Sequence, residues 1–202
     1  MRTTLALLAL AVAPVLAGDT PFEAGLLIDK VKFKEISSGS TSTQPKDQTG
    51  FALRFGRDVA KFGTTALQVN GSYRFQSSGD YDGAYGPVGV KYKNSYWALG
   101  GMFHWQLPMD LGLGLEYRSE KLEVDATSAG AGNYSDTWGR GWVRANAGWT
   151  FQTSAAAKPF VGLDLAFPLS SKSFDPATAT PDDLPRLGAP TSQIGLYGGV
   201  RF

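Results

Sequence analysis

The sequence predicts an all-β protein, an eight-stranded antiparallel up-and-down transmembrane β-barrel. Three observations predict it. Beyond residue 17, apolar and polar residues alternate with a period of two in almost every segment. The links between those segments are by turns long and short. The apolar positions hold large aliphatic and aromatic side chains, while the other parity mixes glycine and alanine with charged residues. A period of two is the signature of a strand with one apolar face.

Composition narrows the field before any element is placed. The chain has 202 residues, 25 glycines, 12% aromatic residues, no cysteine, one histidine and a formal net charge of +1. Without cysteine there is no disulfide framework, thiol nucleophile or thiolate-bound zinc. The charge balance lacks the basic footprint of a nucleic-acid binder. Residues 1–17, with Arg2 ahead of the apolar run Leu5 to Leu16, read as a secretory signal peptide too short to span a bilayer. Cleavage after Ala17 leaves residues 18–202 as one barrel domain. No later apolar run is long enough for a transmembrane helix, so any membrane crossing must use a closed sheet. Only that alternative to a helix satisfies every backbone N–H and C=O in hydrocarbon.

The strands follow in order. In the first, Phe22 to Ile36, Ala24, Leu26 and Ile28 share a face. Val31 and Phe33 fall on the other parity, and a β-bulge near Asp29-Lys30 is expected to restore register. In the second, Phe51, Leu53 and Phe55 oppose Ala52, Arg54 and Gly56. The third sets Leu67, Val69, Tyr73 and Phe75 against Gln68, Asn70, Ser72 and Arg74. The fourth sets Trp97, Leu99, Phe103, Trp105 and Leu107 against Ala98, Gly100, His104 and Gln106. In the fifth, Leu111, Leu113, Leu115 and Tyr117 oppose Gly112, Gly114, Glu116 and Arg118. In the sixth, Val143, Ala145, Ala147, Trp149 and Phe151 oppose Arg140, Arg144, Asn146 and Thr150. The seventh sets Val161, Leu163, Leu165, Phe167 and Leu169 against Gly162, Asp164, Ala166 and Pro168. The last sets Ser192, Ile194, Leu196, Gly198, Val200 and Phe202 against Gln193, Gly195, Tyr197, Gly199 and Arg201. Polar loops are expected over 37–48, 78–93, 127–136 and 174–190, with short turns between them. An outer-membrane barrel has this asymmetry, its short turns and both termini on the periplasmic side.

Which face meets which medium follows from volume and from aromatic placement. An eight-stranded interior has room only for packed side chains, and the polar parity offsets long arginines with glycine. The apolar face is therefore expected outside. The interior should hold a charge network of Arg54, Arg74, Glu116, Arg118, Arg140, Arg144, Asp164 and Arg201, joined by Glu23, Asp58 and Glu120. Arg57 falls on the outward parity near the short-turn rim, where it could snorkel. Two aromatic girdles are expected. Phe22, Trp105, Trp149, Phe151 and Phe202 gather toward the short-turn rim, and Tyr73, Phe75, Trp97, Tyr117 and Phe167 toward the long-link rim.

At its last residues, Gly-Leu-Tyr-Gly-Gly-Val-Arg-Phe, the chain resembles the small bacterial outer-membrane barrels of the OmpA-transmembrane-domain and OmpX-like group. The resemblance spans residues 18–202 as architecture and leaves no room for a peptidoglycan-binding domain. It implies that Ile194, Leu196, Gly198, Val200 and Phe202 form a signal read by the barrel-assembly machinery. Gly198 departs from the bulky residue preferred there. It further implies residence in the bacterial outer membrane, against lipid and lipopolysaccharide.

Chemistry is scarce. His104 has the wrong parity for a barrel-type lipid A deacylase, and no serine and acid partners stand beside it. No cofactor, metal site or catalytic residue is expected. Asp80, Asp82, Asp182 and Asp183 lack the spacing of a calcium loop. Gly112-Leu-Gly114 sits inside a strand and not at a strand-to-helix turn. The expected function is a non-enzymatic envelope protein with a structural or surface-interaction role, a plugged lumen, and long loops open to an extracellular partner. The alternatives are a small porin or OmpW-like transporter of ions or apolar molecules, and a soluble secreted ligand-binding barrel.

Overall fold

The alternating segments form eight long strands: β1 (Phe22–Phe33), β2 (Gln48–Phe62), β3 (Thr65–Gly83), β4 (Lys91–Gln106), β5 (Asp110–Asp125), β6 (Asn133–Thr150), β7 (Lys158–Pro168) and β8 (Pro190–Arg201). The structure is a computed structural model that describes residues 21–34, 36–38, 41–83, 91–107, 109–125, 133–152, 154, 156–174 and 187–202. Each strand pairs antiparallel with its successor, and β8 pairs with β1 from Glu23↔Arg201 onward, so the sheet closes into a barrel. The closing seam is locked where the ends meet. The Phe22 N–H donates to the Phe202 carbonyl at 3.2 Å, and the Phe202 N–H to that of Phe22 at 2.8 Å.

Both of those residues lie at the rim of short links. There β2 turns into β3 through Gly63-Thr64 between the paired Phe62 and Thr65. Gly63 has φ +61°, and no other described residue except glycine has positive φ. This matches a type II′ turn, whose first central position favours glycine. Residues 107–109 and 151–157 make the other short links.

The expected bulge in β1 is absent. Asp29 and Lys30 pair in unbroken register with Gly195 and Ile194 on one side and with Gly50 and Thr49 on the other. The register shift comes later, between Lys32 and Phe33. Alternation itself never breaks; the chemistry of the two faces exchanges. Leu26 and Ile28 point out, whereas Val31 and Phe33 are buried and Lys30 and Lys32 are exposed. The same exchange occurs on β4, where Tyr92 is buried beside exposed Lys91, and on β5, where Leu122 and Val124 are buried beside exposed Lys121. At this long-link end the barrel has an apolar inside and a charged outside. Lys121 and the Gln76 amide both bind the Glu123 carboxylate there, holding its pKa below the ordinary value.

All four expected loops contain strand. Within 37–48, Ile36–Ser38 and Thr41–Pro45 form a hairpin, and its second arm pairs with the end of β3 through Thr43↔Gly83 and Pro45↔Tyr81. Strand β3 runs on to Gly83 and β4 begins at Lys91, while β6 begins at Asn133. Charged pairs such as Asp80↔Lys91 continue the ladder where the outer face can present polar side chains to water. In the last link, Ser173–Phe174 pairs with Leu187–Gly188. The expected signal segment 1–17 and the loop positions Asp182 and Asp183 lie outside the described residues.

Below the charged end, the outer surface is a band of exposed apolar side chains, including Leu99 (60%), Leu115 (59%), Leu163 (52%) and Leu196 (59%). Along β4 the band runs from Trp97 to Leu107. Ten residue-to-residue steps of about 3.4 Å each, tilted by ~40°, give a height of about 26 Å, close to the ~25 Å apolar band of outer-membrane barrels.

Candidate functional site

The lumen is the candidate site, because the inward parity delivers the charged side chains into one enclosed column. On β5 that parity supplies Glu116, Arg118 and Glu120, which alternate in sign. On β6 it supplies Arg140, Trp142 and Arg144. The register sets Arg118 directly opposite Arg140. Like charges opposed in this way repel, so the carboxylates on either side of Arg118 are required. Glu116 accepts from Arg118, and from Arg144 at 3.0 Å. Glu120 accepts from Arg140, at 3.1 Å from its Nη2.

Asp164 extends this tier from β7. It is fully buried and accepts from Arg54 Nη1 at 2.7 Å, Arg144 Nε at 2.9 Å and Arg144 Nη2 at 3.1 Å. Aromatic rings fill the remaining space. The Arg118 guanidinium lies between Tyr96 (4.3 Å) and Trp142 (3.9 Å), Arg140 lies 4.8 Å from Trp142, and Arg54 lies 4.8 Å from Tyr197. Such stacking keeps a desolvated guanidinium favourable.

Toward the short-turn rim, Arg201 binds Glu23 at 2.8 Å and Asp110 at 3.3 Å. His104 Nε2 faces Gln68 Oε1 at 3.2 Å, and Gln68 reaches Asp58 at 3.5 Å. Toward the long-link end, Arg74 binds Asp29 through Nε at 3.0 Å and Nη2 at 2.9 Å, and Gln193 donates to the same carboxylate. Gly50 makes room for that pair, because a Cβ there would stand 2.5 Å from Arg74 Nη2. Above it, Phe33 and Tyr92 meet edge to face at 5.1 Å with Val31, Leu122 and Val124 buried at the same end.

Sequence reasoning missed several members of the column. Asp29 is obscured by the expected bulge, which would break the parity at that residue. Asp110 lies at the start of a strand, where alternation has barely begun. Tyr96, Trp142 and Phe160 are inward-facing beside Tyr197, the one of these aromatics expected on the inner parity; all four are at 0–5% exposure. Their parity, shared with the neighbouring arginines, is the available signal. Among the described residues no group of three or more His, Cys, Asp or Glu could hold a metal ion.

The outward aromatic residues lie in two sets. Phe22 stacks on Phe55 (6.4 Å) and Phe202 (6.5 Å) at the short-turn rim, near the ends of β4 and β6 that carry Trp105, Trp149 and then Phe151. Arg57 is half-buried there, paired with Phe22. At the opposite edge of the apolar band, Phe75 meets Phe51 at 4.8 Å and Tyr73 at 5.1 Å, Trp97 meets Tyr117 at 6.1 Å, and Phe167 pairs with Val143. On β8, Ile194 and Leu196 point outward and Phe202 is exposed, while Gly198 and Val200 are half-buried.

No family model matches the sequence, and no curated protein matches it. Solved structures do resemble it. The outer membrane protein OprG from Pseudomonas aeruginosa superposes with a TM-score of 0.53 at 11% identity, over 92% of this chain and 96% of that one. A major outer membrane protein from Thermus thermophilus gives 0.50 at 10% identity, over 89% and 98%. Neisserial surface protein A gives 0.48 at 12% identity, over 91% and 96%. At such identities the likeness is one of fold: this chain has the closed eight-stranded architecture of the small bacterial outer-membrane β-barrels.

Proposed function

We propose that the chain is an integral outer-membrane protein without enzymatic activity, acting as an envelope scaffold or surface-interaction element with its lumen plugged by the ionic column. One observation carries this reading: each inward arginine, from Arg201 at one rim to Arg74 near the other, touches a buried or half-buried carboxylate. Six such charges left unpaired in a low-dielectric lumen would cost several kcal/mol each. Paired, they need no mobile counter-ion. The apolar end formed by Phe33, Tyr92, Leu122 and Val124 adds a layer that ions cross poorly.

In this reading the exposed apolar band lies in lipid, with lipopolysaccharide on the outer side, and the aromatic sets sit at the two interfaces. Residues 1–17 serve as the cleaved export signal. Insertion falls to the barrel-assembly machinery reading Ile194, Leu196, Gly198, Val200 and Phe202. The long links are left to an extracellular protein partner. His104, turned inward against Gln68, is on the wrong side for an acyl substrate arriving from lipid.

A second reading, a small porin, has its own support. Arg118 Nη2, His104 Nδ1, Asn146 Oδ1 and Ser72 Oγ are buried polar atoms with no hydrogen-bond partner among the described residues, and such atoms can line a hydrated path. Planar-bilayer recording separates the two. The plugged scaffold predicts no steady current from the intact barrel. A stable current that changes in Glu116→Gln would establish the porin instead.

A further inference from the structure

We propose that the barrel wall carries a lateral binding site for the anionic headgroup of a membrane lipid, at a window between β7 and β8. The proposal rests on the membrane reading above.

The window follows from the ladder. Strands β7 and β8 pair from Lys158↔Arg201 up to Ala166↔Gln193 and then part. Beyond that point Phe167 and Pro168 stay paired with Val143 and Trp142 on β6, while Ser192 and Pro190 stay paired with Lys32 and Phe33 on β1. Each flank is thus held away from the other by its far neighbour. Pro168 and Pro190 also have no N–H to extend the ladder. The gap closes again above, where the Ala189 N–H donates to the Lys172 carbonyl at 3.2 Å. Arg140 backs the opening from inside, donating to the Ser170 carbonyl at 3.1 Å and the Pro190 carbonyl at 2.6 Å, one on each flank.

The cavity there is about 340 Å³, within the usual range for small-molecule sites, and Lys34, Arg140, Lys172, Phe167, Leu169 and Thr191 are among its lining residues. Its chemistry has two halves. Three cationic residues line it, and of these Arg140 already holds Glu120. Neither Lys34 nor Lys172 has an ion-pair partner among the described residues. The outer lip is apolar: Phe167 is 52% and Leu169 63% exposed. Ser170 and Ser171 follow at once, so the apolar band ends at this level. An anion carrying an acyl chain fits both halves, its headgroup among the cations and its chain along Phe167. A zwitterionic headgroup would bring a positive group to three others.

Native mass spectrometry of the full barrel in detergent micelles tests this with palmitoyl-oleoyl phosphatidylglycerol, its phosphatidylcholine counterpart and tail-free glycerol phosphate. Wild type should retain phosphatidylglycerol at least about tenfold more tightly than phosphatidylcholine. The exposed double variant Lys34→Gln/Lys172→Gln should lose about thirtyfold in affinity for it, from the usual contribution of two lysines near an anionic headgroup. Lys91→Gln/Lys121→Gln, across the barrel on β4 and β5, should change nothing. Equal retention of the two lipids, equal loss in the two lysine variants, or glycerol phosphate binding as tightly as the lipid would each overturn the site. Retention of neither lipid would overturn it together with the membrane reading.

Discussion

Adjacent positions on β7 give the sharpest energetic test of which face is inside. Asp164 is fully buried and sits between Arg54 at 2.7 Å and Arg144 at 2.9 Å. Asp164→Asn keeps the shape and removes the charge. Breaking a buried ion pair costs about 3–5 kcal/mol, because the partner is left uncompensated. Arg144 keeps Glu116 at 3.0 Å, so the loss falls mainly on Arg54, and about 3 kcal/mol is expected. Burial should also make that loss nearly insensitive to salt. One residue earlier, Leu163 points outward at 52% exposure. Leu163→Ala should cost no more than about 2 kcal/mol, the transfer of the lost carbons, since lipid fills the space and no cavity remains. Reversible urea unfolding in lipid vesicles, followed by the fluorescence of the five tryptophans and by heat-modifiable gel mobility, measures both. A barrel with the opposite orientation would reverse the ranking. Leu163→Ala would then cost about 3 kcal/mol or more as a core truncation, and Asp164→Asn less than about 1 kcal/mol. That result would refute the reasoning.

Four further expectations use the same assay. Gly50→Ala should push the Arg74 guanidinium off Asp29 and cost about 1–3 kcal/mol as overpacking. Arg118→Lys should cost about 1–2 kcal/mol and shift the tryptophan emission, because an ammonium cannot stack as the guanidinium does between Tyr96 and Trp142. Gly63→Ala should cost about 1 kcal/mol through its positive φ alone, as a side chain there meets nothing within 4 Å. Along β1, Leu26→Arg should cost about 2–4 kcal/mol and Ile28→Arg less, while Lys30→Gln is neutral and Val31→Asp again destabilises. Equal costs at Leu26 and Lys30 would place the band edge elsewhere.

Alternation makes the strands and their faces readable, because a one-residue step always changes sides. The parity that puts Leu163 outside and Asp164 inside needs no structural information. The failures in β1 arise because hydrophobicity reports the medium as well as the face. Val31 and Phe33 keep the parity of Asp29 and change neighbours, from the charged column to the apolar end, so a change of environment looks like a change of register. The hairpin within 37–48 looks like loop in the sequence because Ser, Thr and Gln suit both a turn and a water-facing strand, and only pairing with β3 decides between them. The individual ion pairs depend on diagonal distances between strands, such as Arg140 to Glu120, which composition cannot supply. The window between β7 and β8 is marked in sequence only by two prolines, and their juxtaposition requires the register.

The central claim is that apolar side chains face lipid around an enclosed column of paired charges. The chain has no cysteine, so single cysteines can be placed one at a time from Phe160 to Phe167, spin-labelled, and read in bilayers by collision with oxygen and with a water-soluble nickel chelate. The account predicts high oxygen and low nickel accessibility at Val161, Leu163, Leu165 and Phe167, and low accessibility to both at Phe160, Gly162, Asp164 and Ala166. The opposite phase, or nickel reaching Leu163 and Leu165, would contradict it.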